Sequence, residues 1–216
     1  TLAYSPDGQS IASASLNETY IWDIQTGENL EIPNHSGMNT LQYSLNGQHL
    51  LINYPGDTNS TGGVIVLDIA TGDMIHNIPH DSYDVSYSPD GAYIASGGDG
   101  LRIWDALTGE EVHVFPSESF INNIAYSPDG QYIATTSTEV IQIWDVQTGE
   151  VIQGITHRED YIHDIMYSPD GRYLIYNDWL TLFAIWDTQI ATEIQTLTND
   201  LHHNTTAIFS PDGQYI

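Results

Sequence analysis

Nine histidines and 29 acidic residues face only three arginines and no lysine. Imidazoles and carboxylates are the ligands of metal ions and the acids and bases of hydrolytic sites, and their spacing decides whether they can act as such. His76, His80 and Asp81 cluster, as do His157, His163 and Asp164, and His202 and His203 are adjacent. A metal centre needs ligands converging at about 2 Å, with further groups orienting each imidazole. None of these groups has a signature spacing and each falls in a different part of the chain, so the sequence predicts solvated or backbone-bonded histidines and no metal or cofactor. Carboxylate pairs such as Glu110–Glu111 and Glu159–Asp160 are expected at this acid content and carry no acid–base signal. There is no Gly-x-Ser-x-Gly elbow, phosphate loop, His-Glu-x-x-His or calcium loop. Cysteine is absent, which excludes thiolate catalysis, thiolate zinc sites and disulfides. The expectation is a chain with no catalytic residues that is not an enzyme.

Charge narrows the partners. The formal net charge of −26 rests on Arg102, Arg158 and Arg172 as the only fixed cations. Phosphate backbones and anionic membrane surfaces are bound by clustered Lys and Arg, so neither nucleic acid nor membrane is an expected partner. A basic protein or peptide suits the charge, although an acidic surface also serves solubility alone. No apolar run nears the roughly 18 residues of a membrane helix. Thr1 is not followed by a charged, then apolar leader. The compartment is left open, with the cytoplasm as the default.

Any site must be positioned by elements that recur. Aromatic-Ser-Pro-Asp-Gly occurs at Tyr4–Gly8, Tyr87–Gly91, Tyr126–Gly130, Tyr167–Gly171 and Phe209–Gly213, with a degenerate copy, Tyr-Ser-Leu-Asn-Gly, at Tyr43–Gly47. Ile-Trp-Asp ends at Asp23, Asp105, Asp145 and Asp187, with Val66-Leu67-Asp68 as its weaker counterpart. Thr-Gly follows at Thr26, Thr71, Thr108 and Thr148, and Ile190-Ala191 replaces it in the fifth copy. Three motifs in fixed order, about every 41 residues on the repeat arithmetic, define a repeat architecture. Pro presets φ, Asp bonds the local backbone and Gly supplies φ > 0, so Ser-Pro-Asp-Gly between apolar runs reads as a hairpin turn. Gly97-Gly98-Asp99-Gly100 reads as another. The runs between turns are short and rich in β-branched and aromatic residues, with no sustained helical period. Each repeat therefore reads as four antiparallel strands; in the fourth they fall near 121–126, 132–136, 140–145 and 151–155. One such sheet cannot bury both faces, whereas sheets stacked about an axis can.

With these motifs the sequence resembles the WD-repeat β-propeller family, in the style of its regular bacterial members. The resemblance implies that Trp22, Trp104, Trp144 and Trp186 lie on third strands and pack between blades. It also implies a network of His, Ser or Thr, Asp and Trp. The third repeat offers His80, Ser96, Asp99 and Trp104, with His80 closer to its strand than the family places it. The fifth offers His157, Asp178 and Trp186, with Tyr176 where a hydroxyl is expected. The other repeats lack a clear His, so apolar packing is expected to outweigh the network.

The expected fold is all-β, one WD-repeat propeller domain over 1–216. Its four-stranded blades fall at about 1–33, 37–79, 82–116, 120–156 and 161–198, and a sixth begins at 204–216. The family most often has seven blades, so the expectation is an incomplete arc of a larger ring, able to self-associate through exposed end blades; a five-bladed ring is the alternative.

In such a blade the Ser-Pro-Asp-Gly and Thr-Gly turns share one end. The second-to-third strand loops and the interblade loops share the other. The first set hardly varies; the second does, and variable loops on a rigid scaffold carry recognition. The candidate partner-binding residues are Trp179 and Asp178, Tyr161, Tyr83, Phe120, and Tyr54 and Asp57; aromatic residues beside acids suit an interface. The same aromatics could instead cap blade edges. The expected function is a non-enzymatic scaffold that binds a protein or peptide there. The alternatives are a propeller attached to an enzyme or signalling domain outside this segment, and a propeller hydrolase with a central metal.

Overall fold

The computed structural model describes residues 1–15, 18–32, 40–54, 56, 62–138, 140–156, 162–178, 182–198, 207–210 and 212–216. They form five four-stranded antiparallel meanders and, among the described residues, no helix. Blade 1 holds β1–β4 (Leu2–Tyr4, Ser10–Ala14, Thr19–Asp23, Asn29–Ile32). Blade 2 holds β5–β8 (Thr40–Tyr43, His49–Tyr54, Gly63–Asp68, Met74–Ile78). Blade 3 holds β9–β12 (Asp84–Tyr87, Tyr93–Gly97, Gly100–Asp105, Glu111–Pro116). Blade 4 holds β13–β16 (Asn123–Tyr126, Tyr132–Thr136, Val140–Asp145, Val151–Thr156). Blade 5 holds β17–β20 (Ile162–Tyr167, Tyr173–Asp178, Leu182–Asp187, Thr192–Thr198). The fourth blade matches its sequence-derived strands except that β13 starts two residues later and β16 ends one later. The architecture is that of propeller blades, as the repeats required. Among the described residues no helix is long and apolar enough to cross a membrane.

The chain divides into two compact units, Thr1–Glu118 with blades 1–3 and Ser119–Ile216 with blades 4 and 5. In each unit the core lies between successive sheets. One cluster joins Ala12, Ile21 and Ile32 of blade 1 to Leu41, Leu50 and Ile65 of blade 2. The next joins Leu51, Val64 and Val66 of blade 2 to Val85, Ile94 and Trp104 of blade 3. In the second unit Ala134, Ile141 and Ile155 of blade 4 meet Ile165, Leu174 and Ala184 of blade 5. Inner strands are therefore apolar on both faces: β7 is buried from Gly63 through Leu67. Outer strands such as β12 bury only one side chain, Phe115. At roughly 25 cal/mol per Å² of apolar surface buried, this sheet-on-sheet contact is the main stabilising term. A register shift falls at the same place in blades 2 to 5, just before Leu67, Trp104, Trp144 and Trp186, where a bulge sharpens the local twist.

Candidate functional site

The two ends of each blade are built differently. At the turn end, Ser5, Ser88, Ser127, Ser168 and Ser210 each donate their hydroxyl to the Asp two residues on, at 2.5–2.6 Å. That carboxylate in turn accepts the amide of the residue after Gly. Asp7, Asp90, Asp170 and Asp212 are held below the usual carboxylate range by these bonds, the serine hydroxyl first. Asn46 takes the carboxylate's place in blade 2. In the other turn, Oδ1 of Asp23, Asp68, Asp105 and Asp145 accepts both the amide and the hydroxyl of the Thr three residues on. These aspartates too lie below the usual range, chiefly through the Thr amide. The repeated motifs are self-contained turns.

The opposite end is pinned from outside the hairpin, above all around 80–83. His80 is buried, with Nδ1 2.7 Å from Ser96 Oγ and Nε2 3.2 Å from Asp99 Oδ1. Asp99 is a carboxylate and can only accept, so Nε2 carries the proton and Nδ1 accepts from the Ser96 hydroxyl. Ser96 Oγ also accepts Trp104 Nε1–H at 2.8 Å. Burial pushes the His80 imidazolium pKa down, opposed by the Asp99 bond, so the ring is neutral. Arg102 closes the chain by donating to Asp99 and to Glu111. The four residues of the third repeat thus meet in spite of the short spacing before the strand. Ser, His and Asp in line resemble a nucleophilic triad, but Ser96 is 0% exposed and its oxygen is held by an indole. No substrate reaches it.

Next to His80, Ser82 donates to Asn53 Oδ1 at 2.8 Å while Asn53 Nδ2 donates to the Ser82 carbonyl at 3.1 Å, both fully buried. Asp81 Oδ1 accepts the Gly56 amide at 2.8 Å. Gly98 lies so close that a Cβ there would sit 2.4 Å from the Asp81 carbonyl oxygen. Sequence reasoning missed these locks. The signal was Asn53, an amide inside the otherwise apolar run Leu50–Ile52.

Tyr83 follows directly, its amide donating to the Gly97 carbonyl at 2.8 Å and its side chain 49% exposed. Tyr54 closes β6 and is half-buried, its hydroxyl donating to Asn77 Oδ1 at 3.2 Å. Tyr54 is thus bonded within its own blade, and Tyr83 is about half exposed. Phe120 belongs to the second unit; it is 61% exposed and precedes the fully buried Ile121. Asp178 is the last residue of β18, paired with Ile162. Trp179, Tyr161, Asp57 and His157 lie outside the described residues.

Trp22, Trp104 and Trp144 donate Nε1–H to Ser13, Ser96 and Thr135 at 2.8–2.9 Å, in each case the second-strand residue two on from the indole's cross-strand partner. At the same register Tyr176 faces Trp186, whose Nε1 is buried with no partner among the described residues. In blade 2 both positions are hydrocarbon, Ile52 and Leu67. Among the described residues no three His, Asp or Glu side chains converge as metal ligands.

Residues 72–105 and 109–145 match the family model described as "WD domain, G-beta repeat". These are WD repeats. Each match runs from the Gly of one Thr-Gly turn to the Asp of the next Trp-Asp. The WD repeat is thus out of step with the blade: it contributes the last strand of one sheet and three strands of the next. A chain of "Kuenenia stuttgartiensis Hydrazine Synthase" is similar in fold, at TM-score 0.80 and 19% identity. The similarity covers 92% of this chain and 65% of the other, just under two thirds of its length.

Proposed function

We propose that this WD-repeat chain is a non-enzymatic interaction module that binds a protein or peptide, basic in character, at the variable-loop end of its blades. The observation that carries this reading is Tyr83. It is an exposed aromatic that directly follows a segment held by buried bonds, His80 to Ser96 and Ser82 to Asn53, and its own amide is tied to the Gly97 carbonyl. An aromatic already held in place binds without a large ordering cost, which is how interface hot spots gain their strength. Asp99, 63% exposed, supplies negative charge nearby through the His80 contact. Phe120, Trp179, Asp178 and Tyr161 in the second unit and Asp57 in the first are the further candidates that the sequence offers, each for its own unit.

Selection of a random displayed peptide library on the purified protein tests it. Enriched peptides should carry Arg or Lys, lose affinity as salt rises, and bind Tyr83→Ala at least about tenfold more weakly at unchanged melting temperature. Peptides that bind Tyr83→Ala as well as the wild type would count against this end of the blades. The likeness to a chain of an enzyme favours a second reading, a WD-repeat module within an enzyme assembly. Copurification of a catalytic subunit held through the Tyr83 end would point to it.

A further inference from the structure

The turn end, which the reading above leaves without a role, carries two clefts at corresponding places. One lies between blades 2 and 3 in the first unit, about 650 Å³. The other lies between blades 4 and 5 in the second, about 580 Å³. Corresponding residues differ in a way that indicates what the first cleft takes. In blade 5 Arg172, on the cleft wall, donates Nε–H to Asp187 Oδ2 at 3.1 Å. Oδ1 of Asp187 is already committed to the Gln189 and Ile190 amides. The chain thus places its own guanidinium on the second oxygen of the turn aspartate. In blade 3 the corresponding residues are Ala92 and Asp105. Asp105 Oδ1 is committed in the same manner, to the Leu107 and Thr108 amides and the Thr108 hydroxyl. Its Oδ2 has no hydrogen bond among the described residues.

A second polar group on that cleft's wall is unsatisfied. Tyr87, 7% exposed, lines it, and its hydroxyl is buried with no partner among the described residues. The corresponding Tyr43 hydroxyl meets Ser10 Oγ at 3.1 Å, but His49 stands at the serine's position beside Tyr87 and no bond forms. Burial pushes the Tyr87 phenol up to about 12, so it is a neutral hydroxyl. Leu45 and Leu107, 66% and 83% exposed, flank the opening.

We infer that the cleft between blades 2 and 3 binds an arginine side chain of a partner peptide, its guanidinium on Asp105 Oδ2, its stem between Leu45 and Leu107, and a polar group of the peptide on the Tyr87 hydroxyl. Every polar function the ligand would satisfy is satisfied elsewhere by the chain itself, through Arg172 or Ser10. A planar guanidinium suits this carboxylate better than an ammonium, and its stem covers leucine. The excess of 29 acids over three arginines draws such a peptide in.

The test is a titration of the ¹⁵N-labelled chain with Ac-Leu-Arg-Leu-NH₂ and with its citrulline counterpart, which keeps the shape and removes the charge. Amide shifts should concentrate at Gly91, Ala92, Ala106 and Leu107 with the arginine peptide only. Ala92→Arg, an exposed position, copies blade 5 and should abolish binding at an equal or higher melting temperature. Asp105→Asn keeps the turn acceptor and should weaken binding at least about tenfold, the loss of one charge-assisted bond. Arg172→Ala should open a second site, with new shifts at Gly171 and Gln189. Equal binding of citrulline, shifts confined to the Tyr83 end, or undiminished binding by Ala92→Arg would overturn the inference. Tyr83→Ala should leave this titration unchanged, so the two surfaces stand or fall separately.

Discussion

Blades 3 and 5 solve the same problem with different completeness. Both place an indole on the third strand against a neighbouring sheet. In blade 3 the indole N–H is received by Ser96, which passes the connection on to His80 and Asp99. In blade 5 Tyr176 fills the hydroxyl's place with a ring and Trp186 is left with a buried donor that has no partner among the described residues. Blade 2 shows a third solution: Ile52 and Leu67 replace both partners with hydrocarbon. A buried polar pair is favourable whole, close to neutral when replaced whole by apolar groups, and costly by halves. Blade 5 is the half, and its turn departs too, with Ala191 at φ 55° where the other blades have Gly.

The largest expected effect comes from breaking the complete network. Ser96→Val strands both the Trp104 N–H and the His80 ring, at about 2–3 kcal/mol, and the melting temperature should fall by roughly 5 °C or more. A paired substitution sharpens the contrast: Trp104→Phe should cost about 2 kcal/mol in urea unfolding. Trp186→Phe removes a donor that has no partner and should cost at least 1 kcal/mol less. Equal costs would show that the indole area alone matters.

Next comes pH. His80 has its folded pKa depressed below 6.5, chiefly by burial. The unfolded chain then takes the proton first, so the stability from neutral His80 is full above about pH 6.5 and is lost as pH falls from there toward the folded pKa. Unfolding free energy should decline below neutrality, with a shallower slope in His80→Gln. Asp99, lowered first by the His80 bond, adds a further loss only below its ordinary 3.8. An unchanged slope in His80→Gln would mean that folding leaves the His80 imidazole with the pKa it has in the unfolded chain.

The smallest effect is at the turns. Ala191→Gly should stabilise by about 0.5–1 kcal/mol, since only glycine takes positive φ freely. Gly109→Ala, at φ 71° and with a Cβ 2.9 Å from His76 Nδ1, should cost more than that gain, about 1–2 kcal/mol.

Much of this was legible in the residues. Turn chemistry is local: Ser-Pro-Asp-Gly and Asp-x-x-Thr-Gly close their own hydrogen bonds within five residues, so motif and conformation coincide wherever the motif recurs. Short β-branched and aromatic runs between those turns then marked four strands per repeat, and the family resemblance placed the indoles on the third strand between blades. The Asn53–Ser82 and Asp81–Gly56 locks join residues 29 and 25 apart, and only a dissonant amide in an apolar run hinted at the first. The resemblance set the four members of the His80 network side by side, but their meeting depended on the backbone path between Ile78 and Tyr83.

The sequence alone determined the strands, their turns and the acidity of the surface, because each follows from neighbours along the chain or from composition. Tertiary structure alone decided which polar groups found partners. Among the described residues Tyr43 reaches Ser10 while Tyr87 has no partner, and Arg172 covers Asp187 while Ala92 leaves Asp105 open. Those outcomes depend on how one sheet packs on the next, and identical motifs a repeat apart meet different neighbours there.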